Sequence, residues 1–169
     1  LPAGPLREPL PARLPRASVV LYNAPAPSTA LPGHVARRSL AGLVALADWW
    51  AGRPASPEAL RALAGRPVVA AAGMAHPDRF FDMLEAAGLA VQRLPLPDHH
   101  DFAALPWPAA AADVVVTEKD AVKLRPADVG ATRVWVAPLD FDPGPGFERA
   151  LLDLLPTAST RTPHGQPTA

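Results

Sequence analysis

The stretch that decides the fold runs from residue 66 to residue 96 and reads RPVVAAAGMAHPDRFFDMLEAAGLAVQRLPL. Its continuous apolar run at 67–72 predicts a buried strand. Residues 77–88 follow with apolar side chains at helical spacing and a closing glycine, so they predict an amphipathic helix. Residues 89–96 predict the next strand. A strand, a helix and a strand in this order predict a parallel pair joined by the helix.

The same alternation continues on both sides of this stretch. The predicted strands are continuous rather than alternating apolar runs, which is typical of strands covered on both faces. We therefore predict an α/β fold, a mostly parallel sheet with helices on both faces. The further predicted strands are 16–24, 113–120 and 132–140, and the further predicted helices are 56–65 and 146–155.

The segment 34–50, HVARRSLAGLVALADWW, is ambiguous. Its alanines and leucines fit a helix, whereas its tryptophans and the interior Gly42 fit two strands better. We favour two strands that are broken at Gly42.

Three segments lie at the ends of predicted strands: residues 73–77, residues 98–101 and residues 117–120. In parallel sheets the functional groups gather at the carboxyl ends of the strands. We therefore expect these three segments to meet at one edge of the sheet.

Composition restricts the classes of function. The chain has 169 residues, a formal net charge of zero and no cysteine. Nothing in this balance favours nucleic acid as a partner, and without cysteine there are no disulfides or thiolate zinc sites. No run approaches the roughly 20 apolar residues of a membrane helix. The only two lysines, Lys119 and Lys123, fall in one short motif.

The segment PLPDHHDF, residues 95–102, allows three interpretations. A histidine beside a carboxylate is a sound general base, because the carboxylate fixes the tautomer and raises the basicity. A metal site is a poor fit, because the adjacent His99 and His100 point in different directions. In the third interpretation the segment is a solvated loop in which Asp101 caps a helix that begins at FAAL.

The segment VTEKDAVKL, residues 116–124, allows two interpretations. A lysine at a strand end suits an anionic ligand. Alternatively, Thr117 caps a short helix in which Asp120 and Lys123 pair. No phosphate-binding glycine motif occurs anywhere in the chain. Near the N-terminus, Arg7 suits a bidentate grip on phosphate, although Arg7 and Glu8 also fit a plain linker.

Four motifs, taken together and in this order, resemble the tetraacyldisaccharide 4'-kinases, the lipid A 4'-kinases of Gram-negative bacteria. The resemblance covers nearly everything from residue 1 to about residue 156. The motifs are LPAGPLREPL (1–10), AAAGMAHPDRFFDMLEAAGL (70–89), PLPDHHDF (95–102) and VVVTEKDAVKL (114–124).

The resemblance implies ATP-dependent phosphorylation of the 4'-hydroxyl of tetraacyldisaccharide 1-phosphate, the lipid A precursor, with Mg²⁺. It implies peripheral membrane contact at the cytoplasmic face of the inner membrane. The family also carries an N-terminal domain with a P-loop, a catalytic aspartate and an acidic Walker B-type segment, none of which is found in this sequence. We therefore expect this chain to be the C-terminal portion of such a P-loop-type kinase, to bind no cofactor and to be inactive alone.

The resemblance also assigns roles to individual residues. The histidine of the family's P-D-H motif falls on His99, which is expected to pair with the catalytic aspartate of the N-terminal domain. Arg7 and Glu8 fall on a segment that approaches the sugar-phosphate headgroup. Lys119 and Asp120 fall in the T-E-K-D motif, which either contacts the anionic substrate or orders the site.

The expected organisation has three parts: an extended segment at 1–16 that continues from the N-terminal domain, an α/β domain at 17–156 and a disordered tail at 157–169. Two other functions remain open on the residues alone. One is a non-catalytic α/β binding module. The other is a metal-dependent hydrolase that uses Asp98, His99 and Asp101.

Overall fold

The computed structural model describes residues 10–155, which divide into two compact units, 38–140 and the pair of segments 10–37 and 141–155. None of the described helices has the length and apolar character needed to cross a membrane. In chain order the elements are β1 (Leu21–Tyr22), β2 (His34–Val35), β3 (Arg37–Leu40), β4 (Val44–Ala45), α1 (Leu46–Trp50), α2 (Pro57–Ala62), β5 (Pro67–Ala72), α3 (Asp78–Ala86), β6 (Ala90–Pro95), β7 (Asp113–Val116), α4 (Glu118–Ala121), β8 (Arg133–Val136), β9 (Leu139–Asp142) and α5 (Pro145–Leu154).

The unit at 38–140 is built on a five-stranded sheet with the order β4-β8-β7-β5-β6. Neighbours from β8 to β6 run parallel, and only the edge strand β4 is antiparallel. The central strand β5 pairs with β6 on one side and with β7 on the other. The predicted α/β fold with a mostly parallel sheet is thus confirmed.

Both faces of this sheet are covered by apolar side chains. Successive residues of β5 point to opposite faces, so Val69 and Ala71 join one core and Val68 and Ala70 join the other. α2 and α3 lie over the second core, which contains Phe81. α1, α4 and the loop with Trp107 lie over the first. The small alanine side chains of β5 leave room for bulky side chains on the covering elements. For this reason the run VVAAA at 68–72 is buried.

The predicted helix starts are also found. The Ser56 hydroxyl oxygen accepts hydrogen bonds from the backbone N–H groups of Glu58 and Ala59, and Pro57 occupies the first helical position. In α3 the side chains of Phe80, Phe81 and Leu84 are buried on one face. Because these starts use local capping and periodicity, the sequence alone was enough to locate them.

The prediction of two strands at 34–50 is wrong for its second half. Strands extend only to Ala45, and residues 46–50 form α1. β4 pairs with just two residues of β8, and beyond them the high helix propensity of Leu46 and Ala47 is no longer opposed by a partner strand. Asp48 favours the helix through its place in the first turn. The indole N–H of Trp50 then donates to the carbonyl of Leu124 at 2.9 Å.

Three predicted strands are shorter than expected. The strand predicted at 113–120 ends at Val116, because Thr117 caps α4. The run 132–140 breaks at Pro138 into β8 and β9, because proline has no N–H to continue the ladder. β9 pairs with β3 instead of extending the main sheet. The predicted strand at 16–24 is reduced to Leu21–Tyr22, which pairs in parallel with β2.

The unit formed by 10–37 and 141–155 contains β1, β2 and α5. The hydroxyl of Tyr22 donates to the carbonyl of Leu31 at 2.7 Å and meets the hydroxyl of Thr29, so the loop between β1 and β2 is tied to the strand. α5 begins after Gly144, has Pro145 at its first position and contains no buried residue.

Asp113 anchors the amino end of β7. Its buried carboxylate accepts two hydrogen bonds from the guanidinium of Arg133, at 2.8 and 2.7 Å, and one from the indole of Trp135 at 2.9 Å. Arg66 lies 3.3 Å away. The hydrogen bonds from Arg133, with a smaller effect from Trp135, hold the pKa of the Asp113 carboxyl below its usual range.

Replacing Asp113 by asparagine is expected to lower the free energy of unfolding by roughly 1.5 to 3 kcal/mol at pH 7, the usual range for hydrogen bonds to a charged group. Because the pKa is lower in the folded state, this stabilisation is complete above the ordinary aspartate pKa of about 3.9 and is lost as the pH falls below it. Urea unfolding of wild type and Asp113→Asn at pH 7 and at pH 3 measures the difference between their free energies of unfolding. Equal stability at pH 7 would contradict the expectation.

Candidate functional site

Three loops at the carboxyl ends of β5, β6 and β7 meet at one edge of the sheet, as expected. The Gly73 N–H after β5 donates to the Asp120 carboxylate after β7 at 3.0 Å. The Lys119 ammonium after β7 donates to the Asp98 carboxylate after β6 at 2.7 Å. Each loop is therefore tied to another by a hydrogen bond to a carboxylate.

Asp120 is the buried centre of this cluster and has no exposed surface. Its Oδ2 accepts from Gly73 N–H and from the Thr117 hydroxyl at 2.8 Å, while Thr117 Oγ1 accepts from the Asp120 N–H. Its Oδ1 makes no hydrogen bond and lies 3.5 Å from the Lys123 ammonium. Thr117 thus caps α4 as predicted, and Asp120 pairs with Lys123 as predicted.

Gly73 allows the loops to approach this closely. A Cβ at this position would lie 3.0 Å from Asp120 Oδ1 and 3.2 Å from the carbonyl oxygen of Pro97. The Pro97 oxygen is backbone, and the Asp120 carboxylate is held by its partners, so neither moves aside cheaply. Glycine at position 73, directly after β5, is therefore needed for the close contact between the three loops.

Asp98 and Lys119 form an ion pair at the rim of the cluster, where both side chains are close to half exposed. The hydrogen bond from Lys119 holds the pKa of the Asp98 carboxyl below its usual value. Asp98 is ionised at neutral pH, as any aspartate with an ordinary or lowered pKa is, and it places a negative charge at the start of the loop that carries the two histidines.

His99 projects from this loop, and its side chain is 80% exposed. Its Nε2 lies 3.5 Å from Asp98 Oδ2, and its backbone N–H donates to Asp98 Oδ1 at 3.1 Å. The φ angle of His99 is 63°, in the left-handed region that costs a non-glycine residue about 1–2 kcal/mol. The surrounding contacts must therefore hold the residue in this conformation.

His100 points into the protein instead. Its Nδ1 accepts from the Phe102 N–H at 3.1 Å, and its ring packs edge-on against the Phe102 ring with 4.6 Å between centroids. Its carbonyl oxygen accepts from the Lys123 ammonium at 2.8 Å. As predicted, the two adjacent histidines diverge. The packing of His100 against Phe102 was not predicted.

The expectation that Asp101 caps a helix is wrong. No helix follows it, and Asp101 Oδ1 accepts from the Ala103 N–H at 3.0 Å in a tight turn. Phe102 has a φ angle of 57° and inserts its ring beside Trp107 in the core. The left-handed Phe102 redirects the chain and prevents the helix from starting.

Arg7 and Glu8, which sequence reasoning assigned to substrate binding, lie outside the described residues. Among residues 10–155, no group of three or more histidine and acidic side chains is placed to hold a metal ion. In particular, Asp98 turns to Lys119 and Asp101 turns to Ala103, so the set proposed for a hydrolase does not converge on one point.

Comparison with protein families shows to which family the chain belongs. The family model described as "Tetraacyldisaccharide-1-P 4'-kinase" matches residues 1–156. The chain belongs to this family. The predicted resemblance is thereby confirmed.

Curated members of the kinase family are similar along nearly the whole chain. The tetraacyldisaccharide 4'-kinase of Methylibium petroleiphilum is 58% identical over 166 residues, which cover 95% of this chain and 46% of that protein. That of Leptothrix cholodnii is 56% identical, over 92% of this chain and 46% of that protein. The chain thus spans slightly under half the length of these relatives.

A solved structure is also similar. A crystal structure of LpxK from Aquifex aeolicus in complex with ATP aligns with a TM-score of 0.49 and 20% identity, over 75% of this chain and 37% of that one. This likeness is too weak to add to the family assignment.

The roles of two residues in the candidate site were not predicted from the sequence. Lys123 was expected to pair only with Asp120, but it also binds the His100 carbonyl. Gly73 was expected only to end a strand, but it is the contact point for two other loops. The scarcity of lysine was a usable signal for Lys123, because both lysines of the chain serve this cluster.

Proposed function

We propose that this chain is the C-terminal portion of a kinase that transfers the γ-phosphoryl group of ATP to the 4'-hydroxyl of tetraacyldisaccharide 1-phosphate. Membership of the family and the shared name of the relatives support this activity. Because the chain spans 46% of those relatives, the proposed reaction belongs to the longer protein of which these 169 residues supply one part.

The observation that carries the proposal is the exposed imidazole of His99 beside an ionised carboxylate, at the edge where three strand ends meet. A sugar hydroxyl must lose a proton as it attacks phosphorus. In the proposed mechanism His99 accepts that proton, together with an aspartate of the N-terminal domain. A nearby negative charge stabilises the imidazolium that forms.

Phosphoryl transfer needs little more from the protein than positioning and neutralisation of charge. In the proposal, a P-loop in the N-terminal domain holds ATP with Mg²⁺, and this chain binds neither by itself. The described residues then contribute the proton acceptor and the edge against which the acceptor sugar is oriented.

The remaining residues receive proposed roles that differ in kind. Arg7 and Glu8 contact the headgroup of the lipid. Lys119 is 43% exposed and can contact the substrate phosphate. The complete burial of Asp120 leaves it no surface for a ligand, so of its two open roles we propose the ordering of the site.

The substrate's acyl chains place the reaction at a membrane. We propose that the longer protein acts as a peripheral protein at the cytoplasmic face of the inner membrane. Nucleic acid has no part in the proposal.

The test is the product of the reaction. The full-length protein, incubated with tetraacyldisaccharide 1-phosphate, Mg²⁺ and ATP labelled at the γ position, is expected to form a product with label at the 4' position. An acceptor that lacks the 4'-hydroxyl serves as the control and is expected to remain unlabelled. The isolated 169-residue chain is expected to transfer no phosphate.

Two results would contradict the proposal. If full-length protein is folded and yet labels no acceptor, the proposed kinase activity is wrong. Label on the 4'-deoxy acceptor would show that another oxygen is attacked.

A further inference from the structure

We propose that Lys123 is a positioning residue for His99, which it holds through the carbonyl group of His100. The proposal rests on the proposed function, because it concerns the orientation of the proposed proton acceptor. Nothing in the T-E-K-D resemblance assigns a role to Lys123.

The loop that carries His99 needs external support. His99 and Phe102 both have φ angles in the left-handed region, 63° and 57°. Neither is a glycine, so both conformations persist only where neighbouring groups enforce them. His100 is one of the two residues between them, so a contact to its backbone restrains this part of the loop.

Lys123 supplies this restraint. Its ammonium donates to the His100 carbonyl at 2.8 Å, lies 3.5 Å from the buried Asp120 carboxylate and stands 5.7 Å from the centre of the Phe102 ring. The side chain is 24% exposed, about half the exposure of Lys119. The donors of this ammonium are therefore directed to the protein, and a role in binding substrate falls to Lys119 instead.

Asp120 fixes Lys123 in turn. Because Oδ2 is taken by Gly73 and Thr117, Oδ1 is left facing the ammonium as a buried negative charge. A chain of contacts thus runs from the end of β5 through Asp120 and Lys123 to the His100 carbonyl, next to His99. It connects the rigid sheet to the exposed imidazole.

The experiment compares Lys123→Met, the double variant Asp120→Asn/Lys123→Met and wild type in the full-length protein. Methionine is an unbranched side chain shorter than lysine by only the terminal nitrogen, so it keeps most of the packing but removes the donors. The double variant leaves no buried charge without its partner, and so remains informative if the single variant fails to fold. Asp113→Asn is the matched control, because it removes a buried carboxylate at the amino end of β7, whereas Asp120 and Lys123 follow the carboxyl end of that strand.

We expect both Lys123 variants to lower kcat by about 10- to 100-fold, the size of effect that a misplacement of about 1 Å can cause. KM for the acceptor and for ATP is expected to stay within about twofold. Amide hydrogens of residues 98–102 are expected to exchange about tenfold faster, since their local opening is no longer opposed. Asp113→Asn is expected to lower stability but to leave kcat and this exchange unchanged.

A double variant that folds and keeps both kcat and slow exchange would overturn the proposal. Faster exchange with unchanged kcat would also overturn it, because the loop would then be held without effect on His99. If His99→Ala leaves kcat unchanged, the proposed function itself fails and this proposal fails with it, whereas the exchange data still report whether Lys123 holds the loop.

Discussion

Replacing His99 by alanine in the full-length protein is expected to lower kcat by about 10²- to 10⁴-fold, the usual contribution of a positioned general base. KM is expected to change little, because the exposed imidazole acts on the attacking hydroxyl and makes few binding contacts. Initial rates at saturating ATP and acceptor measure both constants. His76→Ala, which removes an exposed histidine from the loop after β5, is the control and is expected to retain the wild-type rate.

A second substitution at His99 separates its chemical role from its backbone strain. His99→Gly removes the same imidazole but suits a φ angle of 63°, so this variant is expected to be about 1 kcal/mol more stable than His99→Ala in urea unfolding. Both variants are expected to have the same low kcat. A His99→Gly protein with wild-type kcat would show that the position matters only for the loop.

Replacing Asp120 by alanine is expected to lower the free energy of unfolding by roughly 2 to 4 kcal/mol. The change leaves the Gly73 N–H and the Thr117 hydroxyl without their acceptor and the Lys123 ammonium without its counter-charge. Urea unfolding at pH 7 measures the loss. Asp120→Asn keeps an acceptor oxygen for Gly73 and is expected to lose less.

The same variants test whether Asp120 contacts the substrate. If Asp120 only orders the site, the folded fraction of Asp120→Asn should bind the acceptor with close to the wild-type KM. A large rise in KM with unchanged stability would instead support the substrate contact that the T-E-K-D motif left open.

The sheet was predictable because its signals are local. The run at 67–72 and the periodic segment after it specify β5, α3 and β6 without reference to the rest of the chain. Caps such as Ser56 are equally local. The mostly parallel pairing was predicted from the continuous apolar runs of the strands. The order of the strands in the sheet and the antiparallel edge strand β4 were not predicted, and the two residues of β4 carry no pattern.

Elements that depend on distant partners were not predictable. Residues 46–50 become helical where pairing with β8 ends, and the sequence does not show how far that pairing extends. Pro138 breaks the last predicted strand, but proline is so common in this chain that it carried little weight in the prediction. Asp101 looked like a helix cap only because the left-handed Phe102 was not visible in the sequence.

The location of the candidate site was predictable, but the contacts that hold its loops in place were not. The carboxyl ends of parallel strands were expected to meet, and the loops after β5, β6 and β7 do. Lys123 donates to the backbone carbonyl of His100, and a backbone acceptor leaves no signal in the pattern of side chains. The burial of Asp120 depends likewise on the close approach of Gly73.

The most direct test of the central claim, that this chain supplies the proton acceptor of the family's kinase reaction, is the single-turnover rate of phosphoryl transfer measured by rapid quench. With enzyme in excess and both substrates saturating, this rate reports the chemical step without product release. We expect His99→Ala to lower this rate by at least about 100-fold relative to wild type, at unchanged affinity for the acceptor. An unchanged single-turnover rate in a folded His99→Ala protein would contradict the claim.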